Sequence, residues 1–151
     1  MDAHRLSGRD RDFLLAFETC AIAPGDFSHE AHVRIGYSYL VENDDEAAVE
    51  KMRAALLHFL AHHGVPREKF HETLTRAWVL AVRHFMNRGA TASADEFIAA
   101  NPELLDSRIM LTHYSASVLF SPDARAGFVA PDIQPIPPPD ERRLPGAAPK
   151  F

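Results

Sequence analysis

Cysteine is nearly absent from this chain, and long apolar runs are missing from it. Cys20 is the only cysteine among 151 residues, so neither an intrachain disulfide nor a cysteine-rich zinc site can form. The apolar runs are only a few residues long, too short to cross a membrane, so we expect no membrane partner. The first residues carry no apolar segment, and we therefore expect no signal peptide. Together these absences predict a cytoplasmic protein.

Positive charge is also in short supply. Sixteen Lys and Arg residues against 21 Asp and Glu residues give a net charge of -5, which argues against a nucleic-acid partner. The seven glycines are scattered singly, so no glycine-rich phosphate-binding loop is present. Hydrophobic residues make up 46% of the chain, as in an ordinary soluble domain. The length predicts one domain, and its small size is compatible with a homodimer.

Helix start and stop signals occur along almost the whole chain. Ser7 and Ser28 are placed to cap helices, and Gly64 followed by Pro66 is a stop signal with a new helix start behind it. Further helices are predicted over 93–101 and 102–115, and no strand pattern is found. The sequence therefore predicts an all-α fold, an antiparallel bundle of about five to six helices over residues 1–130.

Proline is concentrated at the other end of the chain. Seven of the eleven prolines follow position 130, and Pro137, Pro138 and Pro139 are consecutive. Such a run favours extended polyproline-type backbone rather than helix. We predict a Pro-rich extended or disordered tail over residues 131–151.

Histidine is abundant, with nine residues, and helical faces separate them into two groups. Five are assigned to a frayed terminus, helix ends or solvent-facing positions: His4, His58, His62, His63 and His84. His29 and His32 are spaced i,i+3 at the start of the second predicted helix, on the stripe that continues through Gly36 and Leu40. That stripe is apolar, so both rings should face the core.

Two further histidines are predicted to point inward. His71 heads the apolar stripe of the fourth predicted helix, which continues through Leu74 and Trp78. His113 follows Ile109 by four residues, which places it on the core side of the helix predicted over 102–115. Buried imidazoles are costly unless they are hydrogen-bonded or bound to a metal.

A metal centre is the first interpretation of this pattern. His29, His32 and His71 would be ligands to one divalent ion, with zinc, iron and nickel equally compatible. His113 or a carboxylate from Glu72, Glu68 or Glu18 would complete the ligand set or act as a base, so Glu72 and His113 are the candidate catalytic residues. The protein would then be a metal-dependent enzyme, a hydrolase or an oxidoreductase, with a small-molecule substrate.

The alternative interpretation needs no metal. The inward histidines would form a hydrogen-bonded network in a helical module that binds a small molecule or a partner.

These motifs together resemble a group of small all-helical bacterial proteins of unassigned function. The resemblance covers roughly residues 13 to 136 and is carried by Phe27-x-His29-x-x-His32, by Phe70-His71-Glu72-Thr73, and by His113-Tyr114-Ser115. It implies that His29, His32 and His71 act together, and it supplies no reaction.

Overall fold

The computed structural model describes residues 3–136, and within that range the fold is all-α, as predicted. Seven α-helices and four short 3₁₀ segments occur there, and no strand. The helices are α1 (Gly8–Glu18), α2 (His29–Glu42), α3 (Asp45–His62), α4 (Glu72–Met86), α5 (Ala94–Ala100), α6 (Ala116–Leu119) and α7 (Pro122–Ala126). The 3₁₀ segments are Pro24–Asp26, Arg67–Lys69, Pro102–Leu105 and Ser107–Thr112.

Side-chain caps set the beginnings of the long helices. The Ser7 hydroxyl accepts a hydrogen bond from the Asp10 backbone N–H, while the Asp10 carboxylate accepts from the Ser7 N–H, a complete capping box. Ser28 accepts from the Ala31 N–H at the start of α2. Gly64 follows the end of α3 with a φ of +68°, in the left-handed region that glycine adopts at little cost.

Helices α2, α3 and α4 make the principal helix–helix contacts. Only Asn43 and Asp44 separate α2 from α3, so α3 must turn back against its predecessor. The core between these elements is closed by fully buried side chains, among them Ile35 and Tyr37 from α2, Met52 from α3 and Phe85 from α4. No helix within residues 3–136 is long and apolar enough to cross a bilayer.

The segment predicted as one helix over 102–115 is built differently. It consists of two 3₁₀ segments, because the Asp106 carboxylate accepts a hydrogen bond from the Arg108 N–H and diverts the backbone locally. The fourth helix also begins later than predicted. Arg67–Lys69 forms a 3₁₀ turn after Pro66, and α4 starts only at Glu72.

The N-terminal segment is held in place more firmly than its sequence suggests. His4 was expected in a frayed terminus, yet its Nδ1 lies 2.7 Å from the Thr91 hydroxyl and its Nε2 bonds the Met86 carbonyl. The Tyr37 hydroxyl donates to the Arg5 carbonyl at 2.9 Å. These bonds fasten residues 4 and 5 against the segment between α4 and α5.

The predicted tail is described only over its first six residues. The backbone N–H of Ile133 donates to the His113 carbonyl, the Asp132 carboxylate accepts from the Ser115 N–H, and Ile136 packs against the core. Residues 137–151, which include most of the prolines of the predicted tail, lie outside the described range.

Gly36 leaves space in the interface between α2, α3 and α4. A Cβ atom there would lie 3.8 Å from Met52 Cε and 3.8 Å from Val82 Cγ2, which is ordinary van der Waals contact. A small cavity of about 10 Å³ adjoins Gly36 and these two neighbours. The helical backbone at this position does not require glycine. An alanine there should therefore give a higher free energy of unfolding than the glycine does.

We predict that Gly36→Ala raises the free energy of unfolding by about 1 kcal/mol, because it removes backbone freedom from the unfolded chain and fills space. Urea unfolding followed by circular dichroism measures the change. Gly64→Ala is the matched control and should lower the free energy of unfolding by about 1 kcal/mol, because an alanine is strained at that positive φ. A loss of stability in Gly36→Ala would contradict the packing described here.

Candidate functional site

A pocket of about 550 Å³ opens where the N-terminal ends of α2 and α4 meet the segment between Ser107 and Phe120. Most of its wall is apolar and aromatic. The apolar lining residues are Phe27, Leu56, Leu60, Phe70, Leu74, Trp78, Leu111, Leu119 and Phe120. The polar lining residues are Ser28, His29, His32, Lys69, His71, Thr75, Ser107 and Arg108. All three predicted metal ligands therefore line one pocket.

A second depression, of about 580 Å³, lies between α1, α2 and α5 and has a different character. Its wall carries Arg34, which forms ion pairs with both Glu30 and Asp95. Because these charges already neutralise one another, little net charge is left to attract a charged ligand. The histidine-lined pocket is the better candidate because its wall is apolar and its polar groups are few.

His71 is fixed by hydrogen bonds at both ring nitrogens. It is the N-cap of α4: its Nδ1 accepts from the Leu74 backbone N–H at 3.1 Å. Its Nε2 lies 2.7 Å from the Leu119 carbonyl, which can only accept, so Nε2 carries the proton. Burial, and secondarily the positive charge of Arg125, lowers the pKa of His71 although the Leu119 carbonyl opposes this shift. His71 is thus a neutral structural imidazole.

His29 is held by one hydrogen bond and one ring contact. Its Nε2 donates to the Leu104 carbonyl at 2.8 Å, which fixes a proton on that nitrogen. The imidazole also packs edge-on against Trp78, with ring centroids 4.5 Å apart. Only its Nδ1 remains without a hydrogen-bond partner among the described residues.

Among the histidines that line the pocket, His32 has a buried nitrogen without a described hydrogen-bond partner. Its Nε2 is fully buried and has no hydrogen-bond partner within residues 3–136. Burial, and secondarily the neighbouring His29, lowers the pKa of His32 to about 4. The ring is therefore neutral at pH 7, and a buried nitrogen without a hydrogen-bond partner costs free energy.

These bonds bear directly on the predicted three-histidine metal centre. A metal ligand needs a free lone pair, and both nitrogens of His71 are already used by backbone groups. Across residues 3–136, no group of three or more His, Cys, Asp or Glu side chains is arranged to hold a metal ion. The structure brings His29, His32 and His71 to one pocket without assembling them as ligands.

The candidate carboxylates lie away from this pocket. Glu72 is held by Arg53 through both carboxylate oxygens, and these hydrogen bonds lower its pKa. Glu68 lies with Glu72 along a neighbouring groove. Glu18 accepts a hydrogen bond from the Tyr39 hydroxyl at 2.6 Å, and burial together with this carboxylate raises the pKa of Tyr39. None of the three is placed to act as a base on a molecule bound among the histidines.

His113 serves a different part of the fold from the one predicted. It is fully buried, and its Nδ1 lies 3.0 Å from the Gln134 carbonyl. Its own carbonyl accepts from the Ile133 N–H. The residue follows a 3₁₀ segment rather than lying within a long helix, so the predicted helical face does not place it. Its contacts anchor residues 133 and 134 rather than line the pocket.

Several pocket residues were not expected from the sequence. Lys69 enters because a 3₁₀ turn precedes α4, and Arg108 enters because the segment after α5 folds across the N-terminal ends of α2 and α4. Leu119 and Phe120 close the same side from the end of α6. Neither 3₁₀ segment has a periodicity that reveals its facing partner, so no sequence signal identifies these contacts.

Comparison with known proteins assigns the chain neither a family nor a function. No family model, curated protein or solved structure matches the chain.

The lowered pKa of His32 predicts an acid-sensitive fold. The unfolded chain, with a histidine pKa near 6.5, binds more protons than the folded chain between pH 6.5 and 4, so stability falls as the pH drops through that window. Between pH 7 and pH 5 the loss at His32 should be about 2 kcal/mol. Urea unfolding at both pH values, in wild type and in His32→Gln, measures it.

The variant should lose about 2 kcal/mol less than wild type over this interval. His58→Gln is the control, since His58 is exposed and should leave the wild-type pH dependence unchanged. Equal pH dependence in wild type and His32→Gln would show that the buried ring is not the source.

Proposed function

We propose that this chain binds a small, largely apolar molecule in the histidine-lined pocket, and that binding requires no metal. One observation carries the proposal: a pocket of about 550 Å³ whose wall is mostly apolar and includes His32, a residue whose buried Nε2 has no hydrogen-bond partner within residues 3–136. Small-molecule sites have this size and this combination of an apolar wall with a few placed polar groups.

The rigid part of the wall supports the proposal. Trp78 is 6% exposed, lies among the buried residues of α4 and packs edge-on against His29. His71 ties the start of α4 to the end of α6, so the wall on that side is fixed before a ligand arrives. A preformed wall lowers the entropic cost of binding.

His32 supplies the specificity in this proposal. Its Nε2 is buried without a described partner, so a ligand whose binding turns this nitrogen toward the pocket gives it a hydrogen bond and is favoured over a purely apolar ligand. Ser28 and Thr75 are already engaged with the backbone, through Ala31 and His71 respectively.

A metal-dependent enzyme is the second candidate function, and one observation favours it. His29 Nδ1 and His32 Nε2 are two imidazole nitrogens without a described partner, on one face of α2. Two histidines with water could hold zinc, iron or nickel, and a hydrolase or oxidoreductase would follow. The binding module is preferred because His71 has no free nitrogen and no carboxylate lines the pocket.

Trp78 allows the binding proposal to be tested directly, because it is the only tryptophan of the chain and it lines the pocket. The uncharged fluorophore N-phenyl-1-naphthylamine should quench Trp78 and brighten on binding. Leu111→Gln should weaken this binding about fivefold, because it removes roughly 1 kcal/mol of apolar contact at the pocket wall.

Leu105→Gln is the matched control. Leu105 is 41% exposed and Leu111 is 40% exposed, but only Leu111 lines the pocket. The control should bind the fluorophore as wild type does. No saturable change of Trp78 fluorescence in wild type, or an equal loss in both variants, would contradict the proposal.

A further inference from the structure

The charge of the pocket wall is one-sided. Lys69 and Arg108 line it and no Asp or Glu does, while the lining histidines His32 and His71 are neutral. The whole chain carries a net charge of -5, so this local excess of cationic groups runs against the composition. Such a wall repels an ammonium group and attracts an anion.

The two cationic side chains differ in what already holds them. The Arg108 guanidinium donates to Asp106 from Nε at 3.0 Å and from a terminal nitrogen at 3.2 Å. Lys69 has no ion-pair partner within residues 3–136 and belongs to the 3₁₀ turn that leads into α4. Lys69 is therefore the cation of the wall whose charge is not locally compensated.

Two helix N-termini also make the electrostatic potential in the pocket more positive. Ser28 caps α2 and His71 caps α4, and both capping residues line the pocket. The first-turn carboxylates that would offset the positive helix ends are Glu30 and Glu72, and neither lines the pocket. Each is paired with an arginine elsewhere, Arg34 and Arg53 respectively. The dipoles of both helices thus favour negative charge in the pocket.

His32 lines the same pocket, and its buried Nε2 atom has no hydrogen-bond partner within residues 3–136. A neutral imidazole has one N–H donor, and an oxyanion is a strong acceptor for it. The adjoining lining residues Phe70, Leu74 and Trp78 offer only apolar contact.

From these observations we infer that the occupant of the pocket is an amphipathic anion. Its oxyanion head, of the carboxylate type, lies beside Lys69, Arg108 and the capped ends of α2 and α4, and its hydrocarbon or aromatic body lies against Trp78. This inference rests on the proposed function, since it names the class of molecule that the same pocket binds.

Three ligands that share one hydrocarbon body test the inference: octanoate, 1-octanol and octylamine. Each is titrated into the full chain at pH 7.5 and low ionic strength, with Trp78 fluorescence as the signal. Octanoate should bind about tenfold more tightly than octanol, and octylamine more weakly than both, because only the head charge differs. Raising the salt concentration should weaken octanoate binding and leave octanol binding unchanged.

Charge-removing variants locate the head group. Lys69→Gln and Arg108→Gln should each weaken octanoate binding about threefold, the effect of a solvent-exposed ion pair, with octanol binding unaltered. Lys51→Gln is the control: it removes the same charge from an exposed position of α3 outside the pocket and should change neither ligand.

The outcomes separate this inference from the function it rests on. Equal binding of octanoate and octanol, or equal effects of Lys69→Gln and Lys51→Gln, would overturn the inference while the uncharged fluorophore still binds. If neither the fluorophore nor any of the three ligands perturbs Trp78, the proposed function fails as well.

Discussion

A single imidazole, His71, holds together the parts of the molecule that form the pocket. One ring nitrogen caps α4 through the Leu74 N–H, and the other donates to the Leu119 carbonyl at the end of α6. The two bonds require opposite roles of the two nitrogens, so only the neutral ring with its proton on Nε2 satisfies both. The start of α4, the position of α6 and the wall between them all depend on this one tautomer.

The chemistry of the site follows from how its polar groups are already used. His29 and His71 each donate to a backbone carbonyl, and burial keeps His32 neutral. The nearby carboxylate of Glu72 is neutralised by Arg53 in a neighbouring groove. The pocket therefore contains no ready acid–base pair. It offers apolar area, two imidazole nitrogens without a described partner and a positive electrostatic potential. Those features suit recognition better than bond-making.

The periodicity of apolar residues predicted the inward helix faces only where the chain forms regular α-helix. The i,i+3 spacing of His29 and His32 correctly predicted that this face of α2 points inward. The stripe through Trp78 did the same for α4, and His71 lines the same pocket. The spacing could not show that both ring nitrogens of His71 are engaged by backbone groups, because those partners come from residues 74 and 119. It also failed over 102–115, where Asp106 interrupts the helix and brings Arg108 to the pocket by irregular backbone.

The most direct test of this account is the protonation state of the histidine rings, measured by long-range ¹H–¹⁵N correlation spectra of the full chain before and after addition of Zn²⁺. We predict that His71 is the neutral Nε2–H tautomer at pH 7, that His29 carries a proton on Nε2, and that Zn²⁺ leaves the signals of both rings unchanged. A Zn²⁺-dependent shift of the His71 nitrogens, with one equivalent of metal retained, would contradict the account and restore the three-histidine metal centre.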